Sequence, residues 1–263
     1  MGLSKLLLNM TLCKTGAKRL HRMAARARRA ELSSELRLQL GGTVLSGLFK
    51  GMVIPEEYSW GDSDVIAKIV GLYESDLREA LLKTVERAPS IVINVGCAEG
   101  FYAVGMARLL PNATVYAFDI DERACAICSR AAEENNVSNR IVIDGLCTTD
   151  RLAKITDRPD RTLIVMDCEG AELELLDPAK VPGLAHCDII VETHDFVEAD
   201  ITMILQNRLN TTHDIQRISQ GGRNPNEIPE LARLSELDRW LAISEDRPEA
   251  MTWLACWAVR RSE

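Results

Sequence analysis

From residue 90 to about residue 218, short apolar runs alternate with stretches of helical periodicity. The runs Ile91–Val95, Thr114–Asp119, Arg140–Asp144, Thr162–Asp167 and Asp188–Glu192 are predicted as strands, each ending near a polar residue or a glycine. Strands separated by helical crossovers imply an α/β fold with a parallel sheet. Two further strands are predicted at His213–Ile218 and Met251–Val259, flanking a loop-rich insert over residues 219–250 that reads as a functional segment or lid. Ahead of the sheet, Ser63–Arg87 has the pattern of one or two helices, with Asp62 or Ser63 as N-cap and Pro89 beyond the end. Residues 52–62 read as a loop carrying Tyr58 and Trp60. The chain divides into a basic amphipathic extension (1–30), a helical region (31–89) and an α/β domain (90–263).

Charge sharpens the first boundary. The formal net charge is −8, yet residues 1–30 carry eight Lys or Arg and no acid, which leaves −16 on the remainder. An acidic body argues against a broad nucleic-acid footprint and favours a small-molecule or glycan partner. The basic leader could rest weakly on an anionic membrane surface. Leu6 breaks the myristoylation pattern, and no apolar run approaches the ~20 residues of a spanning helix. Eight cysteines without a compact secreted framework point to a reducing compartment. The expected location is cytoplasmic, with peripheral contact at the inner membrane face through the leader. Cys125 and Cys128 form a CxxC without a second pair or a suitably spaced His, and read as structural.

Strand ends are where a doubly wound sheet collects ligands. The segment IVINVGCAEGFYAVGMARLL combines a buried strand, a glycine turn and a helix. Gly96 suits a tight turn and Gly100 a close backbone approach. Their spacing is GxxxG, not the GxGxxG of dinucleotide enzymes, which argues against an NAD-dependent oxidoreductase. Asp119 follows Gly96 by 23 residues at the next strand tip, where a carboxylate can accept hydrogen bonds from both ribose hydroxyls.

With INVGCAEGFY, the acidic tip AFD, the turn DCEGAE and the run DIIVETHDF, residues 90 to 200 resemble FkbM-type class I S-adenosylmethionine-dependent methyltransferases. The resemblance implies a Rossmann-like seven-stranded sheet, mostly parallel, with helices on both faces and an antiparallel last strand. It implies S-adenosylmethionine as cofactor, with Gly96, Ala98 and Gly100 shaping the loop, Glu99 or Asn94 meeting the methionine amino end, and Asp119 holding the ribose. Asp144 and Gly145 would lie beside adenine, and Asp167 would complete the cofactor site.

Methyl transfer is an in-line displacement, in which orientation alone can supply roughly 7–11 kcal/mol. A hydroxyl acceptor must also lose a proton. Two devices are open. His194 can serve as base, because an imidazole titrates near neutrality, and Glu169 is a further catalytic candidate. Alternatively, carboxylates at neighbouring strand ends, Asp167 and Glu169 on the fourth with Glu192 and Asp195 on the fifth, can bind Mg²⁺ through oxygens, with Asp167, Glu192 and Asp195 as the expected ligands. Trp60, Arg223 and Asn224 are the expected acceptor contacts, with Tyr58 and Asn226 nearby. The NPNE stretch lies far beyond the fourth strand, which ends in DCEG, and so argues against nucleobase methylation. The expected activity is O-methylation of a glycan or secondary metabolite. A catalytically inactive cofactor-binding adaptor, docking through the leader, is the rival reading.

Overall fold

The computed structural model describes residues 14–57, 64–158 and 160–259. Its centre is a seven-stranded sheet of β1 (Ile91–Val95), β2 (Thr114–Phe118), β3 (Ile141–Asp144), β4 (Thr162–Met166), β5 (Cys187–Thr193), β6 (His213–Ser219) and β7 (Thr252–Ala258). The order is β3-β2-β1-β4-β5-β7-β6, and β7 runs antiparallel to both neighbours while the other contacts are parallel. All seven predicted strands are present, and the arrangement is the Rossmann-like one with an antiparallel last strand. β5 is longer than predicted because it lies between β4 and β7 and is buried over its whole length.

Strand alternation feeds two apolar layers. Val92 and Val115 face one layer, while Ile91, Ile93 and Val95 face the other. The first layer is covered by α1 (Lys14–Leu40), α2 (Val65–Val70), α3 (Arg78–Glu86), α4 (Phe101–Leu109) and α5 (Glu122–Glu134). The second is covered by α6 (Thr149–Thr156), α7 (Glu172–Leu175) and α8 (Ile201–Leu209). Side-chain caps start two of these helices: Asp121 accepts the Arg123 N–H, and Thr148 accepts the Arg151 N–H. The predicted helical stretch over Ser63–Arg87 is split into α2 and α3 by Gly71, which takes φ +77° at the end of α2. Asp64 occupies the N-cap of α2, whereas the expected caps Asp62 and Ser63 lie outside the described residues.

The expected boundary between residues 30 and 31 falls inside α1, which runs unbroken through it. The second half of that helix belongs to the body. Leu32 and Leu36 are buried in the first apolar layer. Arg28 makes a two-pronged pair with Asp238 at 3.0 and 2.9 Å, which fixes α1 against α9 (Glu236–Ala242) of the insert. No described helix is long and apolar enough to cross a membrane.

Removing the Leu36 side chain should leave a cavity between α1 and the body. Leu36→Ala is expected to lower the unfolding free energy by about 2–5 kcal/mol in urea titration. Leu20→Ala, on the exposed first half of α1, should change it by less than about 0.5 kcal/mol. Equal effects would contradict the division of the helix into free and packed halves.

Candidate functional site

The tips of β1, β2, β4 and β5 are level, because Val95 lies opposite Phe118 and Met166, and Met166 lies opposite Val191. Residues just past those positions therefore converge. They line a cleft of about 560 Å³, placed where the strand order reverses between β1 and β4.

One wall is the glycine loop. Gly96 takes φ +75°, and a Cβ there would stand 1.6 Å from the Asp167 carbonyl oxygen. The Gly96 and Cys97 N–H groups both donate to the Phe118 carbonyl at 2.9 Å, which folds the loop towards β2. Ala98 also has positive φ, at +46°. At Gly100, a Cβ would lie 2.7 Å from the Cys128 Sγ, so one cysteine of the CxxC packs beneath the loop. The Asp119 carboxylate pins this wall. Its Oδ2 accepts the Ala98 N–H at 2.8 Å and its Oδ1 the Asp121 N–H at 2.9 Å, with acceptor capacity left over on both oxygens.

Of the residues proposed from sequence for the cofactor, Gly96, Ala98, Glu99, Asp119 and Asp167 line the cleft, and Gly100 follows Glu99 in the chain. Two other expected cofactor residues do not line it. Asn94 faces the same side of β1 as Val92, and its Nδ2 donates to the Val165 carbonyl at 3.3 Å. Asp144 accepts the Gly145 N–H at 2.9 Å and pairs with Arg151 at 3.5 Å; Gly145, predicted from sequence alongside it, lines the cleft together with Leu146 and Cys147. Leu146 and Ile120 are 68% and 80% exposed there, two apolar surfaces at adjacent strand tips. Glu99 pairs with the buried Lys68, which also meets Asp64 at 2.9 Å. Burial alone would lower the Lys68 pKa, but the Asp64 and Glu99 charges outweigh it and keep the amine protonated.

The other end of the cleft is built around His194. Its Nδ1 lies 2.7 Å from Glu172 Oε1. Its Nε2 lies 3.4 Å from Asp167, 3.7 Å from Glu169 and 4.0 Å from Glu192. Burial would lower the His194 pKa, but the Glu172 hydrogen bond and the Asp167 charge carry it up to about 9. The imidazole therefore holds its proton at neutral pH, which corrects the expectation of a base titrating near neutrality. Burial and the Glu74 charge push Asp167 up to about 7. Burial, with Asp167 and Glu74, pushes Glu192 up to about 8. Glu172, which burial would raise, is held below the usual carboxylate range by His194. Glu169 takes φ +54° and lies at the open side of this group.

The expected Mg²⁺ site is not formed as predicted. Asp195 turns to α8, where it accepts the Thr202 N–H at 3.0 Å and the Thr202 hydroxyl at 2.5 Å. Asp167, Glu192 and His194 each offer a donor atom within 4.8 Å of one another. One imidazole with two carboxylates fits Mg²⁺ poorly, since that ion prefers an oxygen octahedron. A guanidinium also already sits on Glu192: Arg247 bonds to Glu192, to Glu74 and, at 3.2 Å, to Glu245.

The insert reaches the cleft, but not through its predicted residues. Arg223 is engaged by Glu245 and, at 3.4 Å, by Asp76, and it does not line the cleft. Asn224 caps a turn by accepting the Asn226 N–H at 3.1 Å. Trp60 and Tyr58 lie outside the described residues. Glu245, Asp246, Arg247 and Pro248 form the roof instead. Sequence reasoning missed these residues along with Lys68 and Glu172. The signals were a lone lysine in the apolar helix VIAKIV, a second glutamate in DCEGAE, and a charged run, EDRP, leading into the last strand.

Residues 78–162, about a third of the chain, match the profile of the family described as Ribosomal protein L11 methyltransferase (PrmA). A search of curated proteins finds no match. Among solved structures, the chain is similar to the O-methyltransferase TomG from Streptomyces achromogenes, in complex with SAM, at 11% identity over 72% of this chain and 81% of that one, with a TM-score of 0.46. It is also similar to cofactor-bound Rv0187 from MTB, at 12% identity over 88% and 89%, TM-score 0.48. A third is an rRNA methylase from Streptococcus thermophilus, at 15% identity over 69% and 96%, TM-score 0.45. These are distant likenesses.

The Glu172–His194 contact generates a direct test. In NMR titration the His194 imidazole should titrate near 9 in the native protein and distinctly lower in Glu172→Gln, because the hydrogen bond it donates to Glu172 is the largest influence raising it. An unchanged value would remove Glu172 from its role in holding the imidazole.

Proposed function

We propose that this protein is a class I S-adenosylmethionine-dependent methyltransferase that methylates a hydroxyl of a small glycan or secondary metabolite. The observation that carries the reading is the Asp119 carboxylate, fixed by two backbone N–H groups beside the Gly96 turn at the reversal point of the sheet. That arrangement offers a paired acceptor for vicinal ribose hydroxyls, next to a loop that the Gly96 turn folds against the tip of β4. Ile120 and Leu146 supply apolar faces for a flat base, and Glu99, held by Lys68, supplies a carboxylate for an amino group. The finer FkbM-type assignment is supported by the INVGCAEGFY loop and the DCEGAE turn, since residues of both line the cleft.

When bound, S-adenosylmethionine supplies an electrophilic methyl group on its sulfonium. The chain's own residues align the acceptor and manage its proton. Asp167, titrating near neutrality beside the reacting end, accepts the hydroxyl proton as the new O–C bond forms. His194, protonated and fixed by Glu172, places its positive charge beside Asp167 and Glu169. Arg247 and the residues around it cover this end from the insert and restrict water. No step requires a metal ion.

Calorimetric titration should show S-adenosylmethionine binding and no NADH binding, with Asp119→Ala abolishing the former; binding of NADH alone would overturn the assignment. With an acceptor in hand, the rate should rise with pH as Asp167 loses its proton near 7 and fall as His194 loses its own near 9. Asp167→Asn should remove the acidic limb. A profile flat from pH 6 to 10 would exclude this pair from proton handling.

A further inference from the structure

The first turns of α1 take no part in the packing of its second half. Arg19, Leu20, Arg22, Met23 and Arg26 are exposed, Leu20 by 62% and Met23 by 59%. Leu20, Met23, Ala24 and Ala27 follow the i, i+3, i+4, i+7 spacing and form one apolar stripe, which ends where Glu31 takes the next position. At about 100° per residue, this stripe lies on the side of the helix turned away from the buried Leu32 and Leu36. The body therefore leaves it open to solvent; Arg19 lies at its edge, with Arg22 and Arg26 further round the same side, where Arg26 pairs with Asp246. In sequence, Leu6, Met10, Cys13 and Ala17 continue the same three-four spacing upstream.

We infer that the first turns of α1 seat the protein on an anionic lipid surface, with Leu20 and Met23 in the acyl boundary and Arg19 and Arg22 reaching headgroup phosphates. Charge complementarity selects this occupant. Residues 1–30 carry eight basic side chains and no acid, of which Arg26, Arg28 and Arg29 are engaged by Asp246 and Asp238, whereas the rest of the chain carries −16 and is repelled by the same surface. Contact is thereby confined to the helix. The apolar stripe separates lipid from nucleic acid, because phosphate contacts along a duplex require the cations alone and give Leu20 and Met23 nothing to bury against. A second copy is disfavoured by the same cations, which would be brought side by side.

The test is co-sedimentation of the full chain with vesicles of phosphatidylcholine alone and vesicles enriched in phosphatidylglycerol. The native protein should pellet with the anionic vesicles only, and less so as salt rises. Leu20→Glu combined with Met23→Glu should weaken that binding roughly tenfold or more, and Arg19→Glu with Arg22→Glu should reduce it and its salt dependence. All four positions are exposed, so unchanged thermal unfolding confirms that the variants fold. Failure to pellet, or binding that survives the Leu20/Met23 change, overturns the inference. So does binding to duplex RNA without binding to vesicles, or self-association through the stripe in light scattering without vesicle binding. None of these readouts depends on methyl transfer.

Discussion

The approach of the β1 turn to the tip of β4 sets the geometry of everything above the sheet. No side chain fits at Gly96, because its first carbon would stand 1.6 Å from the Asp167 carbonyl oxygen. The two backbones can therefore close up, with the Asp167 N–H donating to the Val95 carbonyl at 3.0 Å. That closure folds residues 96–100 over the β2 tip, where Asp119 holds them by the Ala98 N–H. It also leaves the Asp167 side chain in the cleft beside His194. One glycine thus fixes the relative positions of the ribose-binding carboxylate and the proton-accepting carboxylate in the proposed reaction, although the two lie on strands separated by β1.

Electrostatics does for the roof what backbone sterics does for the floor. Arg247 bonds to carboxylates from three separate segments: Glu74 beyond α2, Glu192 on β5 and Glu245 in the insert. Burial alone would favour a neutral guanidinium, but Glu74 and the other carboxylates keep it charged. Buried ion pairs are weak sources of net stability, since desolvation offsets most of their attraction. Their effect here is positional. An insert that shifted would strand several buried charges at once, so its place over the cleft is strongly specified.

The strands were legible because their apolar runs have the right length and their acids or glycines mark the tips. All seven could be placed from sequence to within a residue or two. The cofactor loop was legible for a related reason: turn glycines and a strand-end acid answer to local backbone geometry. What failed depended on side-chain direction and on partners distant in sequence. Asn94 lies one residue before the strand end, and the period of two turns it inwards; Asp195 is diverted by Thr202, seven residues on. Arg223 looks like a binding residue in its loop, yet Glu245 and Asp76 consume its charge. The charge state of His194 is not legible because its controlling partner, Glu172, lies 22 residues away in sequence and meets it only in the fold. Composition had the same limit at residue 30, where a uniformly basic stretch concealed the point at which α1 begins to pack.

That point divides one helix into two environments joined by a shared carboxylate. Arg29 is buried and pairs with Asp246 at 2.9 Å, while Arg26, one turn earlier and exposed, reaches the same carboxylate at 2.8 Å. Burial would raise the Asp246 pKa, but these two arginines hold it below the usual carboxylate range. Asp246 also lines the cleft, next to Glu245 and Arg247. A change in the surroundings of Arg26 therefore bears on a charge at the cleft roof through a single ion pair. Because Arg29 secures Asp246 independently, losing Arg26 would weaken that coupling without releasing the roof.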